Sequence, residues 1–354
     1  MARDLNSPYD GLMEKAKDLA ILQSTESIMG WDMETMMPPK AINLRSQQLS
    51  LLSVIEHKTS TDPEIRALLQ KIKRKPEFDK LDMVQKRNVY LIQKRFDEQT
   101  KLPEALVAEI AKQQALTIDI WKKAKEAKDY TMFRPELEKM VELQKKAADI
   151  LMKVKKTATP YDALIDIYEP KMTSEAITKI FDELREGLVK LLKKCVNAPK
   201  QPDQNVLKCK VPIDVQRKIA VALAETVGYD VTSKQAGGRI DPTEHPFTTG
   251  YYDDVRITTH YYENRFESSI FSVLHEAGHA MYEQNLKREW MYQPVGTAAS
   301  MGFHESQSRF VENMLGRSQE FWTYFLPKLK AIANSTLSSL DLNKFVHAIN
   351  QVKP

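Results

Sequence analysis

Apolar residues recur at helical intervals from the start of the chain to about residue 235, and that period restricts most of it to packed helices. Over 132–154 the stripe is Phe133, Leu137, Met140, Ala147, Leu151 and Val154, with Pro135 placed for a first helical turn. Over 173–193 it is Ile177, Ile180, Phe181, Leu184, Leu188, Leu191 and Leu192, behind Thr173 as a candidate N-cap. Stripes of this kind read as core faces. With 354 residues, the chain has room for one large or two ordinary domains.

The period breaks at 236. The stretch "AGGRIDPTEHPFTTGYYDDVRITTHYY" (236–262) is rich in Gly, Pro, Thr and Tyr, and its β-branched residues bracket a turn-like "TGYYDD". It predicts one or two short antiparallel strands inside a helical protein. Six of the 11 glycines and five of the seven histidines fall between 237 and 304, which marks that region as the candidate site.

Composition excludes several classes. Lys and Arg (52) nearly balance Asp and Glu (48), the net charge is +4, and no basic stripe carries interleaved aromatics, so nucleic acid is not an expected partner. The lysine clusters at 153–156 and 191–194 lie within helical patterns and read as solvated faces. The only cysteines, Cys195 and Cys209, suit a reducing cytoplasm better than a disulfide-stapled secreted protein. The first residues lack the apolar stretch of a signal peptide, and no run approaches membrane-spanning length.

The segment "SVLHEAGHAMYEQ" (272–284) lies in a predicted helix over 268–288 with Phe271, Leu274, Gly278 and Met281 facing inward. His275 and His279, one turn apart, project from one face and can ligate one ion. Glu276 stands about 100° round the helix, off that face but within reach of a water at the ion. This geometry is the basis of the H-E-x-x-H zinc hydrolase pattern. A catalytic zinc site takes a third protein ligand and leaves a position for water. Glu283, Glu289, His304 and Glu305 are the downstream candidates. Glu283, a full turn past His279, points away. The loop and helix over 296–318 can present either His304 or Glu305, and the pattern leaves that choice open.

"HEAGHAMYEQ", "GFHESQSR", "HPF" (245–247) and "DVRITT" (254–259) resemble, in order, signature segments of the carboxypeptidase Taq family of thermostable metallocarboxypeptidases. "WDMETMMPPKAINLRSQQL" (31–49) and "YDALIDIYEPKMT" (161–173) are similar to further family segments, so the resemblance covers nearly the whole chain. It implies a mainly α fold with a deep groove and a small antiparallel β element beside the metal. It implies His275, His279 and Glu305 as ligands of one Zn2+ per chain (Co2+ being a possible replacement) and Glu276 as general base. It further implies a homodimer that releases C-terminal amino acids from peptides with broad specificity. His245, Asp254, Arg256 and His304 stand as substrate-contacting or ligand-supporting residues. Asp254 and Arg256 are expected as a buried pair near the zinc ligands or as substrate contacts. His260, where the family more often has Arg, is assigned no role, and Trp31 and Asp32 read as core and capping residues.

On this reading residues 1–235 are an N-terminal helical region and 236–354 the metal-binding catalytic region of one continuous peptidase domain. The family's segments like "IRVEADE" and "GxxQDxHW" have no counterpart here. "LDLNKFVHAINQVKP" (340–354) predicts an amphipathic helix with an uncovered face of Leu342, Phe345, Val346 and Ile349, so the chain reads as truncated at its C-terminal side. The alternatives are a zinc endopeptidase or oligopeptidase, and a truncated zinc-binding helical module without turnover.

Overall fold

The computed structural model describes residues 7–352 except Lys75. The chain divides into two compact units, one comprising the residues up to Lys171 with Leu286–Ala299, the other Met172–Asn285 with Ser300 onward.

The first unit is helical: α1 (Pro8–Thr35), α2 (Ile42–Ser60), α3 (Pro63–Ile72), α4 (Met83–Gln99), α5 (Glu104–Ala127), α6 (Tyr130–Lys155) and α7 (Pro160–Tyr168). Local chemistry sets several starts. Asp82 and Gln85 form a reciprocal capping box on α4, while Asp62 and Thr159 cap α3 and α7, each followed by proline. Asp129 caps α6 by accepting from the Thr131 amide, so that helix begins earlier than Pro135 suggests and the proline lies in its interior. Leu12, Ile65, Leu69, Ile72, Val89 and Phe96 form a core. Trp31 is buried, and Asp32 pairs with Arg45 at 2.6 Å. Fully buried Asn88 ties Leu286–Ala299 into this unit, donating to Gln293 Oε1 (2.7 Å) and accepting from the Val295 amide (3.0 Å).

The second unit contains α8 (Ser174–Val196), α9 (Ile213–Val227), β1 (Gly238–Pro242), β2 (Thr248–Tyr251), β3 (Asp254–Thr259), α10 (Phe266–Gln284), α11 (Met301–Arg309), α12 (Gln319–Ala333) and α13 (Leu342–Ile349). The strands form one sheet in the order β1-β3-β2. β2 and β3 make the expected antiparallel pair, but β1 runs parallel to β3, with Ile240 opposite Ile257. A buried tyrosine accounts for the added strand. Tyr229 Oη donates to Val255 O (2.6 Å) and accepts from the Arg239 amide (3.0 Å), and a side chain on Gly238 would collide with its ring. The core joins Val255 and Ile257 of β3 to Ile270, Val273, Leu274 and Ala277 of α10 and to Trp322, Phe325 and Phe345. Of the predicted uncovered face, Phe345, Val346 and Ile349 are instead buried and Leu342 half-buried against the same core, whereas no residue of α8 is buried.

Candidate metal centre

Helix α10 buries Phe271, Leu274, Ala277 and Gly278, which leaves His275 and His279 half-buried on another face. Gly278 permits a close crossing. A Cβ there would lie 2.7 Å from Ser308 Cα and 2.8 Å from the Gln307 carbonyl oxygen, so any larger residue forces α11 away. That approach brings Glu305 to the histidines. Its Oε2 lies 3.4 Å from His275 Nε2 and 3.2 Å from His279 Nε2, and one ligand atom from each residue falls within 4.8 Å of the others.

These separations fit a metal ion. Ligand bonds of ~2.0–2.2 Å in a tetrahedral site set neighbouring donor atoms ~3.3–3.6 Å apart. Glu305 is held in place by Arg309 Nε on Oε1 (2.8 Å) and Ser308 Oγ on Oε2 (2.9 Å). Burial pushes the Glu305 pKa up, but these two hydrogen bonds and the charges of His275 and Arg309 outweigh it, so the net shift is downward.

Glu312, which the sequence reading missed, contacts the same imidazole. A π-helical turn, Phe310–Leu315, continues α11 and carries buried Glu312, whose Oε2 lies 2.9 Å from His275 Nδ1. Burial opposes a proton on His275, yet the Glu312 bond and the charges of Glu276, Glu305 and Glu312 carry its pKa upward. Surroundings that favour a proton there also favour a cation in its place. His279 shifts the other way, driven by burial and the neighbouring His304 and His275, and so favours the neutral ring a metal requires. Its Nδ1 is buried without a hydrogen-bond partner among the described residues.

Glu276 is 6% exposed. Thr248 Oγ1, from β2, lies 2.6 Å from its Oε2 and 3.0 Å from its carbonyl oxygen. Burial raises the Glu276 pKa, opposed by the Thr248 bond and by His275 and His245, with a net upward result. A carboxyl tuned upward is suited to taking and returning protons near neutral pH.

The other candidates are placed differently. His304 stacks on His279 with ring centroids 4.5 Å apart, but its Nε2 faces Glu283 Oε1 at 2.8 Å. His304 and Glu283 thus form a second imidazole–carboxylate pair alongside the three-residue cluster. Asp254 and Arg256, alternate residues of β3, make two hydrogen bonds of 2.7 Å with each other. Arg256 is largely covered, but the Asp254 side chain is 48% exposed, so the pair is not fully buried. His245 is exposed, its Nδ1 2.9 Å from the carbonyl oxygen of Pro246. His260 Nδ1 lies 2.8 Å from Thr243 O, and its ring stacks on Tyr262.

A helical scaffold, a small sheet and an H-E-x-x-H helix with a carboxylate drawn against both histidines define a metallohydrolase class. Within it, the chain belongs to the Carboxypeptidase Taq (M32) metallopeptidase family, whose sequence model matches residues 11–354. It is 36% identical over 353 residues to thermostable carboxypeptidase 1 of Thermus thermophilus, covering 98% of this chain and 68% of that protein. Two solved structures, one named BsuCP and the other the M32 carboxypeptidase of Deinococcus radiodurans, match at TM-scores of 0.92 and 0.84. They are 32% and 31% identical, and each match covers 98% of this chain and 68% of the other. The chain thus spans about two thirds of their length. By family it is a hydrolase of the metallocarboxypeptidase type, and the expected mainly helical fold with a small sheet holds. Among the described residues no helix is long and apolar enough to cross a membrane.

Proposed function

We propose that this chain is a carboxypeptidase that releases C-terminal amino acids from peptides with broad specificity. On this reading one Zn2+ is held by His275, His279 and Glu305, and Glu276 is the general base. The observation that carries it is the three-residue cluster with a buried glutamate beside it. A zinc ion supplies Lewis acidity, making water a nucleophile near neutral pH and polarising the scissile carbonyl. Thr248 orients the Glu276 carboxylate, which takes the proton of the attacking water and delivers it to the departing amine. Arg309 and Ser308 fix Glu305, and Glu312 fixes the tautomer of His275 by accepting from Nδ1–H.

The test is one peptide offered with a free and with an amidated C-terminus. Cleavage of the free form alone, residue by residue, is expected. Internal cleavage of the amidated form would make the protein an endopeptidase. One tightly bound metal per chain with no turnover would make it the binding module. Glu276→Gln should retain metal and fold while abolishing hydrolysis, and turnover within a few-fold of the parent would remove the glutamate from this role. Glu305→Ala should lose metal affinity far more than His304→Ala, whose side chain faces Glu283. Metal retained by Glu305→Ala and lost by His304→Ala, measured by chelator competition, would reverse that assignment. The resemblance supports a homodimer, and the two unpaired cysteines support a cytoplasmic location. Sedimentation and fractionation test these.

A further inference from the structure

We infer that Glu312 and Arg317 are positioning residues through which the end of α13 sets the orientation of the His275 imidazole. This rests on the ligand assignment proposed above. Glu305 and Glu312, seven residues apart, address opposite nitrogens of one ring: Glu305 lies near Nε2 and Glu312 near Nδ1. The ring therefore cannot rotate without losing the Glu312 bond, and its tautomer is fixed with Nε2 as the ligand atom.

Glu312 is in turn fixed by Arg317. Nη2 of Arg317 lies 3.0 Å from Glu312 Oε1, and Nη1 donates to the carbonyl oxygen of Ile349, the last residue of α13. The guanidinium carbon of Arg317 also lies 4.0 Å from the ring centroid of Phe271, one helical turn before His275 on α10. Asn350 closes the arrangement by donating to the Arg317 carbonyl oxygen (2.9 Å) and to Val346 O (2.9 Å). One side chain thus joins three elements. Its fork satisfies a carboxylate and a helix C-terminal carbonyl at once, which a lysine with a single ammonium cannot reproduce. The π-helical turn sits at the junction, as such turns often do at functional sites.

The experiment measures Co2+ binding to the 354-residue chain by competition with a chelator and by the visible absorption of the bound ion. It compares the parent with Glu312→Gln, Arg317→Ala, Arg317→Lys and the double variant Glu312→Gln/Arg317→Ala, with circular dichroism confirming the fold. Glu312→Gln is expected to weaken binding about 10–100-fold and to alter the cobalt bands. Arg317→Ala should weaken it several-fold with the same spectral change, and Arg317→Lys should fall between parent and Ala. The double variant should bind no worse than Glu312→Gln alone, because Arg317 acts through Glu312. Additive losses, or Arg317 variants that bind and absorb like the parent, would overturn the coupling. A parent that binds no cobalt, or one whose affinity survives His279→Ala, would instead overturn the ligand assignment and the inference with it. Should Arg317→Ala fail to fold, Arg317→Lys carries the test: parent-like affinity and spectrum in that variant would refute the role of the guanidinium fork.

Discussion

Helices α8 and α13 carry the same kind of sequence signal and meet opposite surroundings. In α8, Ile180, Phe181, Leu184, Leu188 and Leu191 are each more than half exposed, and none of its 23 residues is buried. In α13, Phe345, Val346, Ala348 and Ile349 are all buried within eight residues. The Phe345 ring sits 4.6 Å from that of Trp322 in α12 and 6.5 Å from that of Phe266 in α10. The sequence suggested the reverse, a core stripe for 173–193 and an uncovered face near the chain end. Periodicity identifies which face of a helix is apolar. Whether that face is covered depends on side chains far away in sequence, here Phe266 and Trp322, which no local window contains.

The largest expected effect breaks or sustains this contrast directly. Phe345→Ala should lower stability by about 3–5 kcal/mol, since it empties a site enclosed by Trp322 and Phe266. Phe181→Ser, at a ring 61% exposed, should change it by no more than about 0.5 kcal/mol. Urea unfolding of both variants is the measurement. A loss above about 1 kcal/mol at Phe181 would mean that the α8 face is covered in solution.

Next in size is Gly278→Ala, which tests how a covered helix builds the site. The added methyl meets backbone of α11 at Ser308 and Gln307, and backbone cannot rotate aside. About 1–3 kcal/mol of stability should be lost, together with metal affinity, because α11 carries Glu305. Unchanged Co2+ affinity in a folded variant would show that the close crossing does not set the ligand spacing.

The helical class of the fold was legible, and so was part of the candidate site's geometry, for a physical reason. His275, Glu276 and His279 lie within five residues, so helical geometry alone fixes their relative directions. The choice between His304 and Glu305 was not readable, because it depends on how α11 crosses α10. That crossing sets Glu305 against both histidines and turns His304 to Glu283. Glu312 left no signal, since it is an ordinary acidic residue whose contact depends on a π-helical turn and on Arg317. The parallel β1 strand was invisible for a similar reason. Its pairing depends on Tyr229, outside the 236–262 stretch whose turn-like "TGYYDD" announced the antiparallel pair of β2 and β3.

The smallest effect returns to α8 with the same exchange made at Gly278. Gly187 lies in the middle of α8, and no atom lies within 4 Å of where its Cβ would stand. Nothing there can clash, so Gly187→Ala should act mainly through backbone entropy, stabilising the helix by about 0.4–1 kcal/mol. One substitution would thus stabilise the uncovered helix and destabilise the covered one. Because α8 buries none of its residues, it should open locally without the core, and the gain should appear in exchange of its own amides before global unfolding. Amide hydrogen exchange across 174–196 should slow about two- to fivefold, which is that free energy expressed as a ratio. Exchange in α8 that already proceeds at the rate of the α10 core, and does not respond to Gly187→Ala, would show that packing holds this helix and that its contrast with α13 is not one of coverage.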